Sequence, residues 1–213
     1  MSYFNHIKTI ENISKPKVAG PLSIFKPVHV VEAINQIGEH PIGRIKLAKK
    51  ISLGEGAIRT LLKHLKNNGL IEIDSKLGCK LTKEGKKIFK FIRSTTTNTI
   101  DIPKISIALG DYNVGLLVRK SSEAIKKGVE QRDAAIQAGA VGATTLIFKK
   151  GTFLMPGNNK DCLKKMPEAR QTIISGLHPE NGDVVIIGSG KTKISAEISV
   201  KAAAFETLKQ YYD

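Results

Sequence analysis

The chain has 213 residues, 41% hydrophobic and 25% charged, with 34 Lys+Arg against 19 Asp+Glu and a formal net charge of +15. That is a globular composition with room for one large or two small domains, and it argues against a membrane-spanning helix: no apolar run reaches the roughly 18 residues of a span, the N-terminus lacks the apolar core of a signal peptide, and cytoplasmic residence is expected. Cys79 and Cys162 stand without a Cys-x-x-Cys or Cys/His cluster, which argues against a disulfide framework or a structural zinc site and leaves both as small hydrophobes.

Residues 1–24 carry thinly spread apolar positions broken by Pro16, Gly20 and Pro21, and read as a partly ordered arm. Pro27 suits the first turn of a helix, and Val28, Val31, Ile34 and Ile37 continue it as one buried row before Gly38 and Pro41. Residues 44–51 form a second helix, with Ile45, Ala48 and Leu47 inward and Lys46, Lys49 and Lys50 outward. A short turn follows, in which Gly54 is expected to take the unusual corner dihedrals. The third helix begins near Glu55. Its Ile58, Leu61, Leu62 and Leu65 fall at i, i+3, i+4 and i+7, so the opposite face is Arg59, Lys63 and Lys66 flanked by Thr60, His64 and Asn67, three cations and no acid. Asn68 and Gly69 close it. A hairpin with Lys76 near its tip and Lys80 on its return strand comes next, then a helix capped by Thr82, packed through Ile88, Phe89 and Ile92 and lined outside by Lys83, Lys86, Lys87 and Lys90.

Positive charge is concentrated here. Residues 1–100 hold 18 Lys+Arg and 7 Asp+Glu, residues 101–213 hold 16 and 12, and residues 44–93 alone hold 14 and 4. Such a density on one small domain suits a polyanionic partner, because neutralising phosphates releases condensed counterions.

The order helix, helix, turn, helix, hairpin, helix, centred on LAKKISLGEGAIRTLLKHLKNNGLIEID, resembles the winged helix-turn-helix domains of archaeal and bacterial transcriptional regulators over residues 25–93. The resemblance implies that the third helix enters the DNA major groove, the second crosses the backbone and the wing reaches neighbouring phosphates. On that basis Lys46, Lys49, Lys50, Arg59, Thr60, Lys63, Lys66, Asn67, Lys76 and Lys80 are the expected contacts to double-stranded DNA.

Residues 94–101, polar and threonine-rich, read as a linker. From residue 102 onward strands and helices alternate, giving an α+β chain with a C-terminal α/β sandwich-type domain over 102–213. The expected elements are a hairpin of strands 105–109 and 114–118, a helix from Ser122 to Ala138, a second hairpin around Lys149–Gly151, a helix from Pro167, a central strand DVVIIG and a long closing helix. Two features carry potential chemistry. GSGKT resembles the end of a phosphate-binding loop, but Val185 stands where the full pattern requires glycine, so Gly188, Ser189, Gly190, Lys191 and Thr192 are candidates for a simpler anion site or a plain strand-to-helix turn. On the helix 122–138, Ile125, Val129 and Ile136 are expected to pack inward. Glu130, Arg132 and Asp133 beside Gln131 would then face out, as a ligand or subunit contact or as a surface ion pair.

The whole arrangement, with GVEQRDAAIQAGAVGATTLIF and DVVIIG, also resembles archaeal winged-helix regulators bearing a C-terminal domain of unassigned function, which implies self-association. The five scattered histidines form no catalytic constellation. The expected protein is therefore a non-enzymatic DNA-binding regulator without cofactor or metal, partnered by duplex DNA, by itself as a homo-oligomer and by a candidate small anionic effector. A nonspecific architectural nucleic-acid binder and an anion- or nucleotide-binding enzyme using GSGKT are the alternatives.

Overall fold

The computed structural model describes residues 3–15, 25–158 and 160–212, and the chain divides after Arg93 into two units. Both helices and strands are abundant, with the strands in two separate sheets.

The first unit opens with a helix, α1 (Tyr3–Ser14), where the sequence suggested a partly ordered arm. Ile7, Ile10 and Ile13 recur every three residues and are all buried, a stripe too sparse to stand out but sufficient to seat a helix. Pro16, Gly20 and Pro21 lie outside the described residues. Then come α2 (Pro27–Glu39), α3 (Arg44–Lys50), α4 (Glu55–Asn67), the strands β1 (Ile71–Asp74) and β2 (Gly78–Leu81), and α5 (Lys83–Thr95). Tyr3 and His6 of α1 stack near Phe91 of α5, at 4.9 and 5.5 Å between ring centroids. Phe89 of α5 fills the space over Gly38 at the end of α2, where a side chain would collide with its ring.

The end of α4 shows why the hairpin starts where it does. Gly69 takes φ +68; its N–H donates to Lys66 O and the Leu70 N–H to Leu65 O, satisfying two terminal carbonyls and turning the chain sharply. Leu65 and Leu70, brought together by this turn, are both buried. The other expected corner differs: Ser52, at φ 55, carries the left-handed residue, and Gly54 is an extended N-cap.

The second unit contains β3 (Ile100–Ile102), β4 (Tyr112–Val118), a single 3-10 turn at Ser122–Ala124, α6 (Val129–Gln137), β5 (Gly142–Lys149), β6 (Thr152–Leu154), α7 (Pro167–Leu177), β7 (Val184–Gly190) and α8 (Lys193–Tyr212). Its sheet has the order β3-β4-β7-β5-β6, every neighbour antiparallel. DVVIIG forms most of the central strand, as expected, and both faces of β7 are buried. Val185 and Ile187 point to a core built with Ala169, Ile173 and Leu177 of α7. Because side chains alternate along a strand, Gly188 and Gly190 face the other way, against α8.

Four expectations in this unit are overturned. The segment 94–101 is no free linker, for Thr97 N–H bonds Leu117 O, Leu117 N–H bonds Thr97 Oγ1, and β3 forms the sheet edge. Residues 105–109 are not a strand; Ile105 and Ala108 plug the α7-side core from a loop, and β4 pairs with β3 and β7 instead. The helix expected from Ser122 breaks into the short 3-10 turn and α6, which starts only after Gly128 at φ 74. Within α6 the buried residues are Gln131 and Ala135, while Val129 and Ile136 are exposed. Alanine and an anchored glutamine, rather than the larger apolar residues, make its inner face.

Candidate nucleic-acid interface

The candidate interface is built around α4. Ile58, Leu61, Leu62 and Leu65 are buried, each side chain contributing about 1.5–3 kcal/mol by leaving water, and this fixes the helix's rotation. Arg59, Thr60, Lys63, Lys66 and Asn67 are consequently exposed, and His64 is half-buried, its Nδ1 2.9 Å from Ile13 O. The expected face is present with one correction, that it is not acid-free. Glu55 Oε1 accepts from Arg59 at 2.9 Å and from Arg44 at 3.2 Å. An exposed pair of this kind is weak and readily exchanged for a phosphate, but it leaves Lys63 and Lys66 as the cations of α4 farthest from that carboxylate.

Arg44 is a residue the sequence reading passed over. It opens α3 and is tied through Glu55 to α4, so it sits where the two helices meet. Lys46, Lys49 and Lys50 of α3 are exposed, Lys50 donating to Gln36 Oε1 at 2.7 Å. Ile45, expected inward, is 68% exposed, and Leu47 is the buried anchor of this short helix. Ile45 instead lines a shallow cleft with Gly43, Arg44, Lys46 and Lys49.

The hairpin is fixed beside the start of α3. Ile42 and Cys79 exchange both backbone hydrogen bonds, at 3.1 and 2.9 Å, and a side chain at Gly78 would strike the Ile42 carbonyl. At the tip, Asp74 Oδ1 accepts the Lys76 and Leu77 N–H groups at 2.8 and 2.9 Å. Those two bonds, Leu77 first, hold the Asp74 carboxyl below its ordinary range. Lys76 is exposed at this tip beside Leu77, itself 62% exposed, while Lys80 pairs across the strands with Glu72 at 3.2 Å. Thr82 caps α5 as expected, accepting Gly85 N–H at 3.1 Å. Lys83, Lys86, Lys87 and Lys90 are exposed along α5, with Lys87 holding the Glu84 carboxyl low by a direct hydrogen bond.

The second set of candidates is not brought together in this way. Gly188, Ser189 and Gly190 belong to β7 rather than to a loop. A side chain at Gly188 would meet Ala196 O and Val200 N of α8 at 2.6 and 2.5 Å, so these glycines exist to admit the helix. Ser189 Oγ donates to Asn113 Oδ1 in the core. Thr192 caps α8, its Oγ1 accepting Ser195 N–H at 3.2 Å, and Lys191 is exposed outside. On α6, Arg132 and Asp133 pair with each other at 3.0 Å on the surface. Gln131 is fully buried and donates to Gln210 of α8 at 3.1 Å. Buried Glu130 Oε2 has no hydrogen-bond partner among the described residues.

Among the described residues no helix is long and apolar enough to cross a membrane, and Cys79 and Cys162 are free thiols. Comparison with known proteins matches each half of the chain separately. Residues 33–87 match a family model described as PH0730-like, N-terminal domain, and residues 109–208 match Domain of unknown function (DUF4443). The solved structure of hypothetical protein PH0730 from Pyrococcus horikoshii OT3 is similar with a TM-score of 0.63 and 29% identity, over 84% of this chain and 90% of that one. No curated protein matches. Both halves thus match an archaeal protein family.

Proposed function

We propose that this chain is a DNA-binding transcriptional regulator whose N-terminal unit is a winged helix-turn-helix. The observation that carries this reading is the exposed face of α4, where Thr60, Lys63, Lys66 and Asn67 stand opposite the buried leucine and isoleucine stripe. A helix on that support presents one polar, cationic edge, the shape and charge a major groove accepts. Lys46, Lys49 and Lys50 of α3 supply phosphate contacts beside the groove, and the Asp74-braced tip with Lys76 reaches the next stretch of backbone. Arg59 and Arg44 join by exchanging Glu55 for a phosphate or base edge.

The C-terminal unit couples copies of the chain. Supporting this are Leu109, Tyr112 and Ile194, which are 87%, 51% and 54% exposed and lie near Gly190 at one end of the sheet, an apolar concentration of the kind that marks contact surfaces. Two coupled modules bind paired half-sites far more tightly than one.

The test is selection of bound fragments from genomic DNA with purified protein, followed by titration of the selected duplex. Lys63→Ala is expected to weaken that duplex by about 1–3 kcal/mol while leaving the melting temperature unchanged. Equal affinity for selected and random duplexes would replace this reading with a nonspecific binder.

A further inference from the structure

The C-terminal unit concentrates its surplus charge at one end of its sheet. Residues 101–213 hold 16 Lys+Arg and 12 Asp+Glu. Seven of the cations, the exposed Arg119, Lys120, Lys126, Lys127, Lys149 and Lys150 with Arg170, which bonds the Gly151 carbonyl, and four of the acids, Glu123, Glu180, Asp183 and Asp161, the last paired with Arg170, belong to this end, leaving nine against eight elsewhere. The topology gathers them. Antiparallel pairing of Val118 with Val184 and of Ile147 with Val184 brings the end of β4, the start of β7 and the end of β5 to the same edge, and Ser122 N–H bonds Gly182 O to hold the following segment there.

The acids at this end are largely spent. Asp183 is fully buried, its two oxygens accepting the Lys120 and Glu180 N–H groups, both at 2.9 Å. Glu180 pairs with Lys120 Nζ at 2.9 Å, which holds its carboxyl low. Arg119, Lys126, Lys127, Lys149 and Lys150 are all exposed, against Glu123. The corners presenting them are rigid in an unusual way. Lys120 and Lys150 both adopt φ 48, a left-handed conformation uncommon for long side chains, and each is braced at its own N–H, Lys120 by Asp183 and Lys150 by Asn181 Oδ1 at 2.7 Å.

We propose that this end of the C-terminal unit is a second contact surface for the phosphate backbone of duplex DNA, resting on the reading that the chain binds DNA through its N-terminal unit. The cations are strung along several turns rather than converging on one point. The nearest cleft, about 580 Å³, has Lys149, Lys150 and Glu123 as its charged walls and Ile147, Leu154 and Met155 as apolar ones. A row of separate positive charges matches repeating phosphates better than a single small anion.

The experiment measures duplex affinity of the full chain against salt concentration, with three proteins side by side. Lys126→Gln/Lys127→Gln/Lys149→Gln changes exposed side chains only and is expected to melt like wild type. It should flatten the slope of log affinity against log salt by about two to three and weaken binding roughly tenfold or more at low salt. A control that removes equal charge elsewhere in the same unit, Lys104→Gln/Lys164→Gln/Lys165→Gln, should leave the slope unchanged. An unaltered slope in the first variant, or an equal loss in the control, overturns this surface while leaving the DNA reading standing. A thermal shift with inorganic phosphate that only the first variant loses, with duplex binding intact, overturns it in favour of a small-anion site. Failure of wild type to retain any duplex removes the DNA reading first, and this surface with it.

Discussion

His29 sits in the first turn of α2 and accepts the Lys26 amide through Nδ1 at 2.9 Å, satisfying one of the donors that a helix start leaves open. Burial holds its imidazole below the ordinary value, and burial does the same for His6 under Phe91. Nδ1 cannot take a proton without losing the Lys26 bond. A lowered folded-state value means that the unfolded chain binds protons first as pH falls, so the associated stability is complete well above pH ~6.5 and is lost as pH drops through that value toward the folded one. The expected outcome is a melting temperature for the N-terminal unit that declines between pH 7.5 and 5. His29→Gln keeps an acceptor without a titrating group and should make that decline shallower, the remainder coming from His6. A wild-type melt flat across this range would contradict the assignment. The same attention to single contacts explains where sequence reasoning misjudged the interface. Counting acids by helix face overlooked Glu55 because it stands at the first position of α4, from which its carboxylate reaches both Arg59 and Arg44.

Helices and strands with strong periodicity were readable in advance. The i, i+3, i+4, i+7 stripe of α4, the turn at Gly69, the Thr82 cap and the central position of β7 all follow from local pattern, and the structure has them. What local pattern could not supply was pairing at a distance. Residues 105–109 have the alternation of a strand, yet the partner that pattern suggested, β4, is already bonded on both sides by β3 and β7. In GSGKT, glycine was ambiguous between a loop that cradles a phosphate and a strand that admits a helix; the backbone of α8 against Gly188 decides for the second. The consequence is measurable. Gly188→Val drives its side chain into Ala196 O and Val200 N of α8, backbone atoms that cannot rotate away, and is expected to destabilise the C-terminal unit by more than the about 1–3 kcal/mol of ordinary overpacking. Lys191→Ala, on an exposed side chain, should change stability by less than about 0.5 kcal/mol. Chemical denaturation of both variants distinguishes a packing role from a phosphate role for this segment.

The chain as a whole joins a strongly basic unit to one nearer neutrality, since residues 1–100 carry 18 Lys+Arg against 7 Asp+Glu and residues 101–213 carry 16 against 12. On the proposed reading, an N-terminal module of this charge would find nucleic acid quickly but discriminate poorly by charge alone. Coupling two copies through the C-terminal unit would add register, because each half-site must then lie a whole number of helical turns from the other. The expected solution mass is accordingly a multiple of the 23.2 kDa chain, and the protected DNA should show two half-sites about 10 base pairs, or a multiple of that, apart. A single-chain mass on and off DNA with one short footprint would remove the coupled arrangement. The Cys79–Ile42 pairing at the base of the hairpin has one more consequence. Cys79 is 2% exposed and burial raises its thiol above the ordinary value, so an alkylating reagent reaches it only when the hairpin swings away from Ile42. The protein therefore carries its own clock for that opening, and half-buried Cys162 in the other unit keeps a second, independent time.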